Sequence, residues 1–62
     1  MPIITFDSVK LSTEQKRQLA EGLSEVAHKV TGITKKAMVV LIKENDRENI
    51  AVGGTLLADR QE

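Results

Sequence analysis

The segment that most limits the possible folds is Ala37-Met38-Val39-Val40-Leu41-Ile42-Lys43, an apolar run with no polar residue until its last position. A run of this kind lacks the alternation of a half-exposed strand and predicts a strand covered on both faces. A second β-branched, apolar segment, Pro2 to Val9, predicts another strand, and the adjacent Ile3 and Ile4 give its start the same two-faced character. Between the two lies one helical pattern. Leu19, Leu23, Val26, Ala27 and Val30 recur at three- and four-residue spacing, flanked by Lys16 and Ala20, with Arg17, Glu21, Glu25 and His28 opposite. Ser12 followed by Gln15 is a capping-box signature, Glu14 suits the first turn, and Gly32 with Ile33 beyond it suits the exit. The spacing predicts a helix over 13–31.

Strand, helix and strand in that order form a β-α-β unit, which implies parallel strands and a right-handed crossover. After it, 44–49 reads as a polar turn, 50–57 as a short hairpin pivoting on Gly53-Gly54, and 58–62 as a polar tail. The expected fold class is α/β (α+β): one β-α-β unit plus a C-terminal hairpin, in one domain over 1–62. One helix covers one face of a two-stranded sheet, so the other face needs another copy of the chain. Two sheets stacked face to face, helices outward, meet that need.

Composition points the same way. A chain of 62 residues usually requires disulfides, a metal or oligomerisation to be secure. There is no cysteine and only one histidine, which excludes disulfides, argues against a zinc site and leaves oligomerisation. Nine basic side chains balance nine acidic ones and the only aromatic is a phenylalanine, so the basic field and stacking platforms of a nucleic-acid binder are missing. No stretch approaches the roughly 20 apolar residues of a membrane span. The opening MPIITFDSVK has no basic region ahead of its apolar residues, so no signal peptide is expected and the cytoplasm is the predicted location.

Few residues carry chemistry. Gly53-Gly54 has no phosphate-loop lysine and reads as turn glycine. His28, opposite the apolar stripe, reads as a solvated helix residue and leaves Ser8, Ser12 and Ser24 without a triad partner. Lys35-Lys36 reads as a solvated strand entrance. What remains is Met1-Pro2. Initiator methionine is normally removed before proline, which would free a secondary amine. An α-amino group titrates near about 8, and burial or a nearby cation lowers that toward working pH, where a base suits proton transfer to and from carbon.

Pro2 opening an apolar strand, Ser12-Thr13-Glu14-Gln15-Lys16 opening the helix, and Ile50-Ala51-Val52-Gly53-Gly54 in the hairpin together resemble the 4-oxalocrotonate tautomerase family, over the whole chain. The resemblance implies a cofactor-free isomerase in which mature Pro2 is the general base. It takes a proton from an enol or dienol hydroxyl and returns it to a carbon further along the conjugated system. It also implies a small-molecule enol or 2-oxo acid substrate and a homohexamer, a trimer of dimers, whose sites draw on neighbouring subunits.

The chain departs from the family at three positions. Members carry an arginine before the helix, another in the second strand and an aromatic in the hairpin. The aligned positions here are Leu11, Val39 and Ile50, all aliphatic. Lys10, Lys36 and Arg60 are the candidate replacement cations. Alternatively the pocket is apolar, takes an arylpyruvate-like enol, and disfavours the charged form of Pro2. Two other readings stay open: hydratase or lyase chemistry with Pro2 as acid or iminium former, and a non-catalytic oligomeric binding module.

Overall fold

The structure, a computed structural model, describes residues 1–60. Strand β1 spans Ile3–Ser8, helix α1 Thr13–Thr31, strand β2 Val39–Glu44, and the two-residue strands β3 and β4 span Ala51–Val52 and Thr55–Leu56. Single 3-10 turns occupy Lys35–Ala37, Arg47–Asn49 and Leu57–Asp59. β1 and β2 pair in parallel with Ile3 opposite Val39 and Ser8 opposite Glu44, while β3 and β4 pair antiparallel. The β-α-β unit and the hairpin are therefore those the sequence predicts.

The helix forms where its signals place it. The Ser12 hydroxyl accepts from the Gln15 amide at 3.1 Å, and the Gln15 side chain accepts from the Ser12 amide at 2.9 Å. Two of the amides that a helix start leaves without partners are thereby satisfied. At the far end Gly32 turns left-handed (φ 76°) and donates to the His28 carbonyl at 2.9 Å. Gly53 and Gly54 both have positive φ, 62° and 85°, the geometry a two-residue primed hairpin turn requires.

Boundaries and faces differ from the sequence reading in several places, beyond the one residue by which β1 is shorter at each end. The second strand begins at Val39, not Ala37, because Ala37 and Met38 donate back to Thr34 and Lys35 and close a turn. Lys36 therefore lies in that turn and does not open the strand. Glu44, read as the first residue of a polar turn, closes β2. Val26 and Val30, expected in the covered stripe, are 61% and 80% exposed, while His28, expected in solvent, is half-buried. The covered helix face runs through Lys16, Leu19, Ala20, Leu23, Ser24 and Ala27, rotated from the predicted stripe so that Val26 and Val30 fall at its edge. His28 is drawn in by its ring: Nδ1 donates to the Ile33 carbonyl at 2.8 Å, which folds the helix exit back on itself.

The sheet alternates. Ile4, Phe6, Val40 and Ile42 are half-buried on the helix side, whereas Ile3, Thr5 and Leu41 on the other side are exposed, Ile3 at 58% and Leu41 at 45%. The open face is apolar at its start, around Ile3, Val39 and Leu41, and polar at its end, where Asp7 pairs with Lys43. Among the described residues none is buried. The accessible surface of 4790 Å² exceeds the roughly 3,950 Å² expected of a compact monomer of this mass. The radius of gyration of 14.8 Å likewise exceeds the roughly 10.6 Å of a compact 62-residue chain. The excess, about 800 Å², is the size of one partner's share of a standard interface.

Candidate active site

Pro2 precedes β1 and is half-buried, and its carbonyl accepts from the Val39 amide at 3.0 Å. This bond extends the parallel ladder by one step and seats Pro2 beside the start of β2. Met1 is peptide-bonded to Pro2 and 84% exposed, so the Pro2 nitrogen is here an amide.

Parallel pairing decides which other residues share that end of the sheet. Val39 does, and the turn carrying Lys36 runs directly into it. Lys10 and Leu11 do not. They follow the opposite end of β1, and the strand alone separates them from Pro2 by about 16 Å. Ile50 follows the Arg47–Asn49 turn and is half-buried; its amide donates to the Arg47 carbonyl at 3.5 Å and its carbonyl accepts from Leu57 at 2.8 Å. Arg60 donates to the Val52 carbonyl at 3.5 Å, which folds the tail onto its own hairpin.

At the Lys10 end lies an open cavity of about 550 Å³ lined by Val9, Lys10, Asn45, Asp46, Arg47, Glu48 and Ala58. Neither Lys10 nor Arg47 forms an ion pair among the described residues. Arg47 is braced by one guanidinium bond to the Leu57 carbonyl at 2.7 Å. On the other side of the same turn, Phe6, Leu11, Gln15, Gln18 and Leu19 line a more apolar cavity of about 330 Å³. Lys10 and Leu11 thus face different cavities. Arg47 and Glu44 were not singled out in the sequence, because both sit in what reads as a polar turn. An acidic residue closing an apolar strand was the one available signal.

Glu44 links three elements. One carboxylate oxygen accepts from the Leu11 amide at 2.8 Å and the other meets the Lys16 ammonium at 3.0 Å. The Leu11 hydrogen bond first, and then Lys16 with a smaller contribution from Lys10, hold its carboxyl below the ordinary value of 4.5. At the other end of the helix Lys35 pairs with Glu21 and, at 3.5 Å, with Glu25. The Glu21 contact leads in raising the Lys35 ammonium above its ordinary 10.5.

A family model described as "Tautomerase enzyme" matches residues 2–60. The chain belongs to the tautomerase family. The 2-hydroxymuconate tautomerase of Bacillus subtilis is 36% identical over 62 residues, covering 98% of this chain and all of that one. The solved structure of YwhB, a homologue of 4-oxalocrotonate tautomerase, is 33% identical with a TM-score of 0.90, covering 97% of this chain and all of the other. The structure of DmpI from Archaeoglobus fulgidus is 38% identical with a TM-score of 0.86, covering 94% and 100%. Tautomerases are isomerases, and this chain is one. Among the described residues no helix is long and apolar enough to cross a membrane.

Proposed function

We propose that the chain, as a single domain in the cytoplasm, is a cofactor-free tautomerase acting on 2-hydroxydienoates such as 2-hydroxymuconate, with Pro2 as general base once Met1 is removed. The observation that carries this reading is that the family match begins at Pro2 and leaves Met1 outside it. The free proline nitrogen takes the proton of the C2 hydroxyl. The C2–O bond becomes a carbonyl, the C2=C3 pair moves to C3–C4, and the C4=C5 pair takes up the proton at C5 from the proline, leaving one carbon–carbon double bond conjugated with the new carbonyl. No proton is gained or lost overall, so no further reactant is needed. The proline suits this work because its ring holds the nitrogen against the strand that anchors it, so little orientational freedom remains to be lost.

The working unit is a homohexamer, a trimer of dimers, in which Pro2 of one subunit meets the Lys10–Leu11 turn of another. Supporting this are the separation of these residues along β1, the uncovered apolar patch of Ile3, Val39 and Leu41, and the surface excess of the lone chain. Lys10, Lys36 and Arg60 remain the candidate cations for the substrate's carboxylates. The aliphatic Leu11, Val39 and Ile50 favour, as a second reading, a less charged enol such as phenylenolpyruvate.

The test is Pro2→Ala measured beside the parent on both substrates, with intact mass recording whether Met1 is present. The variant keeps a terminal amine but loses the ring that holds it in place, which predicts a fall of about 10²-fold in kcat, the low end of a general base's weight. Equal rates for variant and parent, both lacking Met1, would exclude Pro2 as the base.

A further inference from the structure

Glu44 was read as turn residue, yet its carboxylate is the only group in the described structure that ties β2, the turn after β1 and the first turns of α1 together. The amide it accepts from belongs to the peptide unit joining Lys10 to Leu11. That peptide lies between the two cavities: Lys10 lines the larger and Leu11 the smaller, apolar one. Among the described residues the turn has no other hydrogen-bonded fixed point between Val9 and the Ser12 cap. Among the described residues no backbone–backbone hydrogen bond outside the regular elements involves Val9, Lys10 or Leu11. Without this contact the turn is free to shift as a whole, and the two side chains would move away from their respective cavities with it.

We propose that Glu44 is a positioning residue for substrate binding: its carboxylate fixes the Lys10–Leu11 peptide so that Lys10 faces one cavity and Leu11 the other. This rests on the reading that the turn forms a wall of a site completed by a neighbour's Pro2. Glu44 touches neither substrate nor base. Its influence falls on the fit of the bound acid, and hence on KM, more than on the proton transfer that sets kcat. The hydrogen bond to Leu11 is the operative contact and the Lys16 pair is secondary, so an uncharged acceptor of the same length serves nearly as well.

Four variants separate this from a purely stabilising role: E44Q, E44D, E44A and K16M, each assayed for kcat, KM and exchange of the Leu11 amide. Gln retains an oxygen at the same reach; Asp keeps the charge but is one methylene short. E44Q and K16M are expected to keep KM within about threefold of the parent. E44D and E44A are expected to raise it roughly tenfold, the upper end of one hydrogen bond's net weight, with kcat within about twofold. In both, Leu11 exchange accelerates by a similar factor.

The reverse order, with Asp near parent and Gln impaired, would make charge the operative property and overturn the proposal. Unchanged KM in E44D together with faster Leu11 exchange would also overturn it. The Gln–Asp comparison stands even if E44A does not fold. Full activity in P2A would remove the proline reading alone, whereas a still-protected Leu11 amide in E44D would remove the Glu44 proposal alone.

Discussion

Leu41 belongs to the apolar patch on the open face of the sheet, opposite Thr5 in the register and 45% exposed in the lone chain. If that face is the subunit interface, the remaining exposure is what assembly removes. Fully burying a leucine is worth about 1.5–3 kcal/mol, so the uncovered fraction contributes about 0.7–1.4 kcal/mol per subunit. Over six subunits, truncation by Leu41→Ala removes about 4–8 kcal/mol, or about three to six powers of ten in the overall association constant. Leu41→Lys adds to this the several kcal/mol needed to hold an unpaired ammonium in an apolar contact. Light scattering on the parent should give about six times the 6.8 kDa chain mass. The lysine variant should give a smaller mass at the same concentration, and the alanine variant should dissociate on dilution. A lysine variant that keeps the parent's mass at every concentration, with unchanged activity, would show that this face is not an interface and refute the reasoning.

Two further perturbations test the local structure. Ser12→Ala removes the oxygen that accepts from the Gln15 amide and should cost about 1 kcal/mol per subunit, seen as a lower midpoint in thermal denaturation followed by circular dichroism; an unchanged midpoint would contradict the capping assignment. Because folding lowers the Glu44 carboxyl below its ordinary 4.5, its contribution is complete above that value and is lost as the pH falls through the folded value. The parent's thermal midpoint should therefore decline on acidification below pH about 4.5 more steeply than that of E44Q, and parallel declines would assign the acid sensitivity to other groups.

Much of the β-α-β unit was legible because each of its signals is local. Ser12, Gln15 and Gly32 satisfy backbone groups within three or four residues of themselves, so the helix ends fall where those residues stand. The start of β2 was misplaced because Ala37 and Met38 are apolar enough to extend a strand, and only the hydrogen bonds back to Thr34 and Lys35 turn them aside. Val26 and Val30 were assigned to the covered stripe on spacing alone. Spacing fixes which residues share a face but not the angle at which the helix lies on a two-stranded sheet. Glu44 and Arg47 were missed for a different reason. Their partners are the Leu11 amide, 33 residues away, and the Leu57 carbonyl, and no periodicity records a side chain reaching for a distant backbone group.

The direction of strand pairing links the thin core to the chemistry. Had β1 and β2 been antiparallel, a hairpin could have returned the turn after one strand toward the start of the other. Parallel pairing instead sends both strands away from Pro2, so the residues immediately after each strand lie at the far end: Lys10 and Leu11 after β1, Asn45, Asp46 and Arg47 after β2. One subunit thus offers a proline at one end and a charged, cavity-bearing turn at the other, with an open apolar face between. Stacking a second copy on that face covers the surface a 62-residue chain cannot cover alone, and a copy placed in the opposite sense carries its own turn toward the first copy's Pro2. On this view the same contact that makes the subunit stable also completes the site, so a mutation that weakens assembly should lower activity before it unfolds the protein.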